Sequence, residues 1–172
     1  MTADKLVCFG PVIDYRSTVL ILGSMPGAQS LERQQYYANP RNHFWPIIYR
    51  LFEEQPHPSY EERLAFVLSK RIALWDVLAS CKREGSLDAN IRDEEANDFG
   101  ALYKEYPNIR AVLFNGTKAE QSYKRHVGLS DDKEYMRLPS SSPVPGKYNK
   151  TAKDKLEAWE QILHFLRKYQ ND

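Results

Sequence analysis

Cysteine is scarce: Cys8 and Cys81 are the only two in the chain. Two thiols cannot form the dense disulfide framework of a small secreted domain, nor supply the four cysteines of an iron–sulfur cluster. The opening stretch MTADKLVCFGPVIDYRS lacks the long apolar core of a secretory signal. No run approaches the roughly 18 apolar residues that span a bilayer. A reduced, soluble, cytoplasmic protein is therefore expected. Charge of one sign is missing too, since 24 Lys and Arg face 23 Asp and Glu, for a formal net charge of +1. No overall field draws in nucleic acid or a membrane, although a local basic face stays open. His43, His57, His126 and His164 are scattered, with neither H-E-x-x-H nor Cys-x-x-Cys spacing, so neither metal nor cofactor is expected. Internal repeats and low-complexity linkers are also lacking, and residues 1–172 read as one domain.

Four short apolar runs are present: TVLILGS (18–24), RIALWDVL (71–78), IRAVLFNG (109–116) and EYMRLPS (134–140). The first and third are nearly continuous in branched and aromatic residues, as strands buried on both faces of a parallel sheet are. Between them lie helix-like stretches. HFWPIIYRLFEE carries Pro46 in its first turn, and SYEERLAFVLSK starts at Ser59, a favoured N-cap. EEANDFGALYKEYP and TKAEQSYKRHV also read as helical. The final stretch pairs Thr151 with Asp154 as a capping-box-like start and carries a stripe of Leu156, Trp159, Ile162, Leu163 and Leu166. Strands alternating with helices predict right-handed crossovers and a three-layer α/β/α domain around a four-stranded parallel sheet. Open sheets of this kind bind ligands beyond the carboxyl ends of their strands. GSMPG, WDVLASC, NGTKA and PSSSPVPGK should therefore converge.

GSMPG (23–27) has small residues where backbone N–H groups can approach a ligand. It lacks the Gly-Lys-Ser/Thr of a P-loop and the G-x-G-x-x-G of a dinucleotide site. Downstream, YYANPRNHFW sets rings beside an amide and two cationic or titratable groups. Core packing and a slot for a flat ligand both explain it.

Taken together, G-x-x-P-G followed by P-x-N-x-F-W closely resembles the uracil-DNA glycosylase superfamily, in detail its hypoxanthine-DNA glycosylase branch. The resemblance runs through nearly the whole chain and all four strand-end loops, and it implies that superfamily's four-stranded parallel sheet. It also implies a monomeric, monofunctional enzyme that excises a deaminated base flipped from DNA, preferably hypoxanthine, with uracil as the alternative. Gly23, Ser24 and Met25 occupy the loop where many members carry a water-positioning acid or amide. No such side chain stands there, and the resemblance moves that role to Asn42. An amide cannot deprotonate water near neutral pH, but it can hold a water in line. Capping the following helix is the structural alternative for Asn42. Phe44 resembles the ring that stacks on the base, and Trp45 is expected to anchor the helix in the core.

Asp76 stands where the superfamily often has a base-recognising Asn. A carboxylate there accepts the N1–H of hypoxanthine or the N3–H of uracil, or else serves the local backbone. In the final loop the resemblance places Ser140 at a base-contacting position, Ser142 on phosphate, Val144 as the wedge that fills the vacated stack, and Lys147 in a basic stretch with Lys150, Lys153 and Lys155. The usual His or Asn of that loop is absent. Arg41, His43 and Lys118 suit either phosphate contact or a solvated surface. No lysine near the first loop suggests a Schiff base. A catalytically silent nucleic-acid-binding module on the same fold is the rival reading.

Overall fold

The computed structural model describes residues 4–143 and 151–170. Two sheets organise them. Strands β1 (Lys5–Val7), β4 (Leu78–Lys82) and β5 (Arg92–Ala96) form an antiparallel sheet in the order β1-β4-β5. Strands β2 (Val19–Gly23), β3 (Ile72–Asp76), β6 (Ala111–Asn115) and β7 (Glu134–Leu138) form a parallel sheet in the order β3-β2-β6-β7. These four are the apolar runs picked out from the sequence. Helices α1 (Ala28–Arg33), α2 (Phe44–Leu51), α3 (Tyr60–Ser69), α4 (Phe99–Glu105), α5 (Thr117–His126), α6 (Ala152–Trp159) and α7 (Gln161–Lys168) complete the order.

The pleat of the parallel sheet divides the core in two. Val19, Ile21, Ile72, Leu74, Ala111 and Leu113 point to one face and pack with α2, α3, α6 and α7. Leu20, Leu22, Ala73, Trp75, Val112 and Phe114 point to the other and pack with α4, α5 and the antiparallel sheet. Successive residues of a strand face opposite sides, so a continuous apolar run feeds two cores at once. Every residue of β2 and β3 is buried, whereas β7, at the edge, mixes buried and exposed positions. The part-exposed positions of β7 account for the polar character of EYMRLPS. Lys168 and Tyr169 both bond to Glu134, at 2.6 and 2.7 Å, and tie the end of α7 to this strand.

Local capping follows the side-chain chemistry. Ser59 accepts the N–H of Glu62 at the start of α3, and Thr151 accepts that of Asp154 at the start of α6. Two expectations fail. WDVLASC is not a loop after one strand: the parallel strand stops at Asp76, and Leu78 begins β4. The N–H groups of Val77 and Leu78 donate to Gly23 and Ser24 carbonyls, which turns the chain along the first loop. EEANDFG is not a helix start either, because Glu94, Glu95 and Ala96 belong to β5 and the helix begins at Phe99. Pairing with β4 overrides the weak local preference of so polar a segment. No helix among the described residues is long and apolar enough to cross a membrane.

Candidate active site

A cleft of about 410 Å³ opens where β2, β3 and β6 end, and all four strand-end loops reach it. Its floor rests on one close approach. Gly23 ends β2 beside Asp76, its register partner at the end of β3. A Cβ at position 23 would stand 2.6 Å from Asp76 Oδ1 and 3.4 Å from the Tyr37 hydroxyl. Only glycine lets the carboxyl lie this close to the strand. Asp76 is 3% exposed, and its Oδ2 has no hydrogen-bond partner among the described residues. Burial, with Asp88 adding to it and Arg83 opposing, pushes this carboxyl up to about 7. Arg83 gives Nε and Nη2 to the carbonyls of Gly85 and Pro26, each at 2.8 Å, while its buried Nη1 has no hydrogen-bond partner among the described residues.

The first loop lies beside this floor. Ser24 donates its hydroxyl to Asp88 Oδ1 at 2.7 Å, and Met25 is 6% exposed within the second core while also lining the cleft. Tyr37 closes the next wall. Its backbone is left-handed (φ 55°), uncommon for an aromatic residue. The ring stacks on Phe44 with centroids 3.9 Å apart and planes 20° apart. Phe44 itself is fully buried, edge-on to Trp45 and Trp159, and is not part of the cleft wall. Phe44, expected to stack on the base, is covered by Tyr37, which presents the aromatic surface to the cleft. Trp45 packs into the first core as expected.

Asn42 lines the cleft one residue before the cap position of α2. Its Oδ1 accepts the Phe44 N–H at 2.9 Å, and its backbone N–H donates to the Asn39 carbonyl. The capping role is thus occupied. An amide oxygen has two lone pairs, so capping leaves one acceptor site and both amide donors.

The serine loop forms the far wall. Ser140 is exposed at the rim, with its Oγ accepting the N–H of Ser142 at 3.1 Å. The buried serine is Ser141, 1% exposed, which accepts from Asn115 Nδ2 at 2.9 Å and donates its N–H to Asn115 Oδ1 at 2.8 Å. Asn115 also donates to the Tyr37 hydroxyl at 3.3 Å. The buried serine thus follows Ser140 by one residue, and both line the cleft. Ser142 lines the cleft, whereas Val144, Lys147 and Lys150 lie outside the described residues.

Lys155 departs from its expected surface role. It is 2% exposed, and its Nζ reaches His43 Nδ1 at 3.2 Å and the Ser142 carbonyl at 3.1 Å. The His43 N–H donates to the Ser141 carbonyl at 2.9 Å. These bonds join the PRNHFW segment to the serine loop. Burial lowers the Lys155 pKa, and burial followed by Lys155 lowers that of His43. Lys118 is engaged by Glu94 at 2.6 Å, while Arg41 and Lys153 are exposed.

Sequence reasoning reached Asn115 and Ser141 only as members of converging strand-end loops, and it missed Asp88 and Arg83 altogether. Asn115 stands at a strand's carboxyl end and was within reach of the strand-end rule. Asp88 lies in a short 3-10 turn brought in by the antiparallel sheet, and no local pattern announces it. A separate hollow of about 440 Å³ near Phe52, Lys70, Arg71 and Arg167 borders the amino end of β3. No group of three metal-ligating side chains occurs among the described residues.

Comparison with known proteins agrees with this architecture. Residues 11–163 match the Uracil DNA glycosylase superfamily. A Hypoxanthine DNA glycosylase of Methanosarcina acetivorans is 38% identical over 151 residues, covering 87% of this chain and 94% of the relative. One from Methanosarcina barkeri is 44% identical over 112 residues, 64% of this chain and 71% of the relative. A solution NMR structure of a uracil-DNA-glycosylase-like protein from Methanosarcina acetivorans superposes with a TM-score of 0.78 at 37% identity, over 95% of this chain and 99% of that one. With its parallel sheet, strand-end cleft and paired sequence motifs, the chain belongs to the uracil-DNA glycosylase superfamily.

Proposed function

We propose that the protein is a monofunctional DNA glycosylase that hydrolyses the N-glycosidic bond of a deaminated base, hypoxanthine by preference, flipped out of DNA into the cleft. One observation carries this reading: Asn42, Asp76 and the serine loop, distant in sequence, meet around a single cleft in a chain whose relatives are named hypoxanthine DNA glycosylases. The whole chain acts as one domain and as a monomer on DNA, in the cytoplasm.

In the reaction the bond between C1′ and the base nitrogen breaks, and its electron pair leaves with the base. Positive charge grows on the sugar until a water adds to C1′ and gives up a proton. Free base and an abasic site result, with the strand uncut. Asn42 supplies position rather than basicity, its remaining lone pair accepting from the water while the helix bond fixes the amide. Tyr37, backed by Phe44, stacks on the base, and Asp76 meets its polar edge. Gly23, Ser24 and Met25 leave room at the floor, and Ser140 and Ser141 border the sugar side. Ser142 holds phosphate, Val144 fills the vacated stack and Lys147 adds charge to the DNA-facing loop.

The test is base release from matched oligonucleotides carrying deoxyinosine or deoxyuridine, with wild type and Asn42→Ala. Hypoxanthine release is expected, falling on the order of 100-fold or more in the variant while DNA binding persists. Release unchanged in the variant would reassign Asn42 to capping alone. Absence of release from both substrates would favour a silent binding module.

A further inference from the structure

We propose that Asp76 holds the flipped base as a neutral carboxylic acid, its O–H donating to the base carbonyl and its other oxygen accepting the adjacent N–H. This rests on the glycosylase reading and adds the protonation state that base recognition requires.

The argument starts from the shape of the site. The carboxyl lies against Gly23, in space that a methyl group at that position would crowd, and the residue is 3% exposed. Its Oδ2 is buried and unpartnered although the residue lines the cleft. A buried carboxylate without donors is costly, and neutralisation is the usual escape. The surroundings supply little to hold the charge. Asp88 faces it from the 3-10 turn, the Tyr36 and Tyr37 hydroxyls from the loop before α2, and the Cys8 thiol from the segment after β1. Among the described residues Arg83, after β4, is the one cation that lowers it, and no ion pair joins the two. Its resulting pKa of about 7 leaves the acid form available in the neutral range.

Base chemistry then selects that form. Hypoxanthine and uracil each present a C=O acceptor beside an N–H donor. A carboxylate has only acceptors, so one oxygen would face the N–H while the other repels the carbonyl. The acid offers one donor and one acceptor and satisfies both. As the C1′–N bond breaks, negative charge spreads onto the carbonyl oxygen, and the O–H bond to it strengthens. The proton stays on Asp76. An asparagine amide presents the same donor and acceptor at every pH, which makes Asp76→Asn a diagnostic replacement. The acid can also pair with adenine in the reverse sense, so exclusion of adenine belongs to other groups.

The experiment measures kcat/KM for base release from deoxyinosine DNA between about pH 5.5 and 8.5, where the base N–H stays in place, for wild type, Asp76→Asn and Asp76→Ala. Wild type should lose about tenfold per pH unit well above a break near 7. Asp76→Asn should lose that alkaline limb and exceed wild type at the upper end, and Asp76→Ala should be impaired throughout. An alkaline limb that persists unchanged in Asp76→Asn, or a wild-type profile flat to pH 8.5, overturns the proposal. Carboxyl carbon NMR of the free wild-type protein supplies the readout that does not depend on activity. Titration near neutrality supports the proposal, and ionisation in the ordinary carboxylate range overturns it. No base release by wild type defeats the glycosylase reading separately, because the carboxyl titration is still observed.

Discussion

Asp76 and Glu94 are both acidic side chains on strands, and their surroundings treat them in opposite ways. Glu94, on the antiparallel sheet, takes Lys118 at 2.6 Å, His126 at 2.9 Å and Ser122 at 3.2 Å. Burial pushes its carboxyl up, but the bonds from Lys118 and His126 with the other contacts outweigh that and leave it below its ordinary value. Asp76, at the end of β3, has an unpartnered buried oxygen and is raised. The satisfied carboxylate fastens one layer to the next, and the unsatisfied one waits at the cleft. A group left without partners by the fold retains its hydrogen-bonding capacity for a ligand.

The largest effect should come from crowding the unsatisfied member. Gly23→Ala brings a methyl to 2.6 Å from Asp76 Oδ1. Base release should fall on the order of 100-fold, with ~1–3 kcal/mol of overpacking cost read from denaturant unfolding. Activity near wild type would show that the carboxyl can retreat without consequence.

Glu94→Gln tests the other member. Losing the charge facing Lys118 and His126 should cost about 1–2 kcal/mol in urea unfolding, with base release retained because Glu94 is absent from the cleft wall. The pH dependence should separate the two residues by sign. Asp76 has a raised pKa, so its contribution is complete below the unfolded carboxylate range and is lost as pH rises through about 7. Glu94 has a lowered pKa, so its contribution is present above the unfolded value and is lost as pH falls through the folded one. In thermal unfolding followed across pH, Asp76→Asn should flatten the fall on the upper side of the unfolded carboxylate range, up to about pH 7, and Glu94→Gln the fall on its lower side. Finding both variants flattened on the same side would remove the contrast.

The smallest effect is expected at Lys155, which resembles Glu94 in fastening elements yet lies close to the site. Lys155→Met keeps the length and burial but gives up the bonds to His43 and the Ser142 carbonyl. Stability should change by less than about 1.5 kcal/mol, while base release drops several-fold as the two loops loosen. Equal losses in kcat and DNA affinity would point to a general unfolding of the loop instead.

The sequence by itself determined the parallel sheet. VLILG, IALWD and AVLFN are apolar at successive positions, and a strand with no polar face must be covered on both sides. It also determined the caps at Ser59 and Thr151, because capping depends on residues three apart, and it singled out Asn42 before α2 and Asp76 at the end of β3, both of which line the cleft. The polar β5 escaped notice, since RDEEA becomes a strand only once β4 lies beside it. Phe44 and Tyr37 could not be told apart as the cleft ring until packing set one over the other. The same holds for Ser140 and Ser141, which Asn115 distinguishes by binding only the second. Lys155 looked like surface charge within a run of lysines, and helix phase turned it inward. Tertiary structure decided these points because each depends on partners far along the chain, whereas strand, cap and loop identity follow from neighbours within a few residues. The protonation of Asp76 is of the tertiary kind: its charge is set by what four distant segments fail to provide.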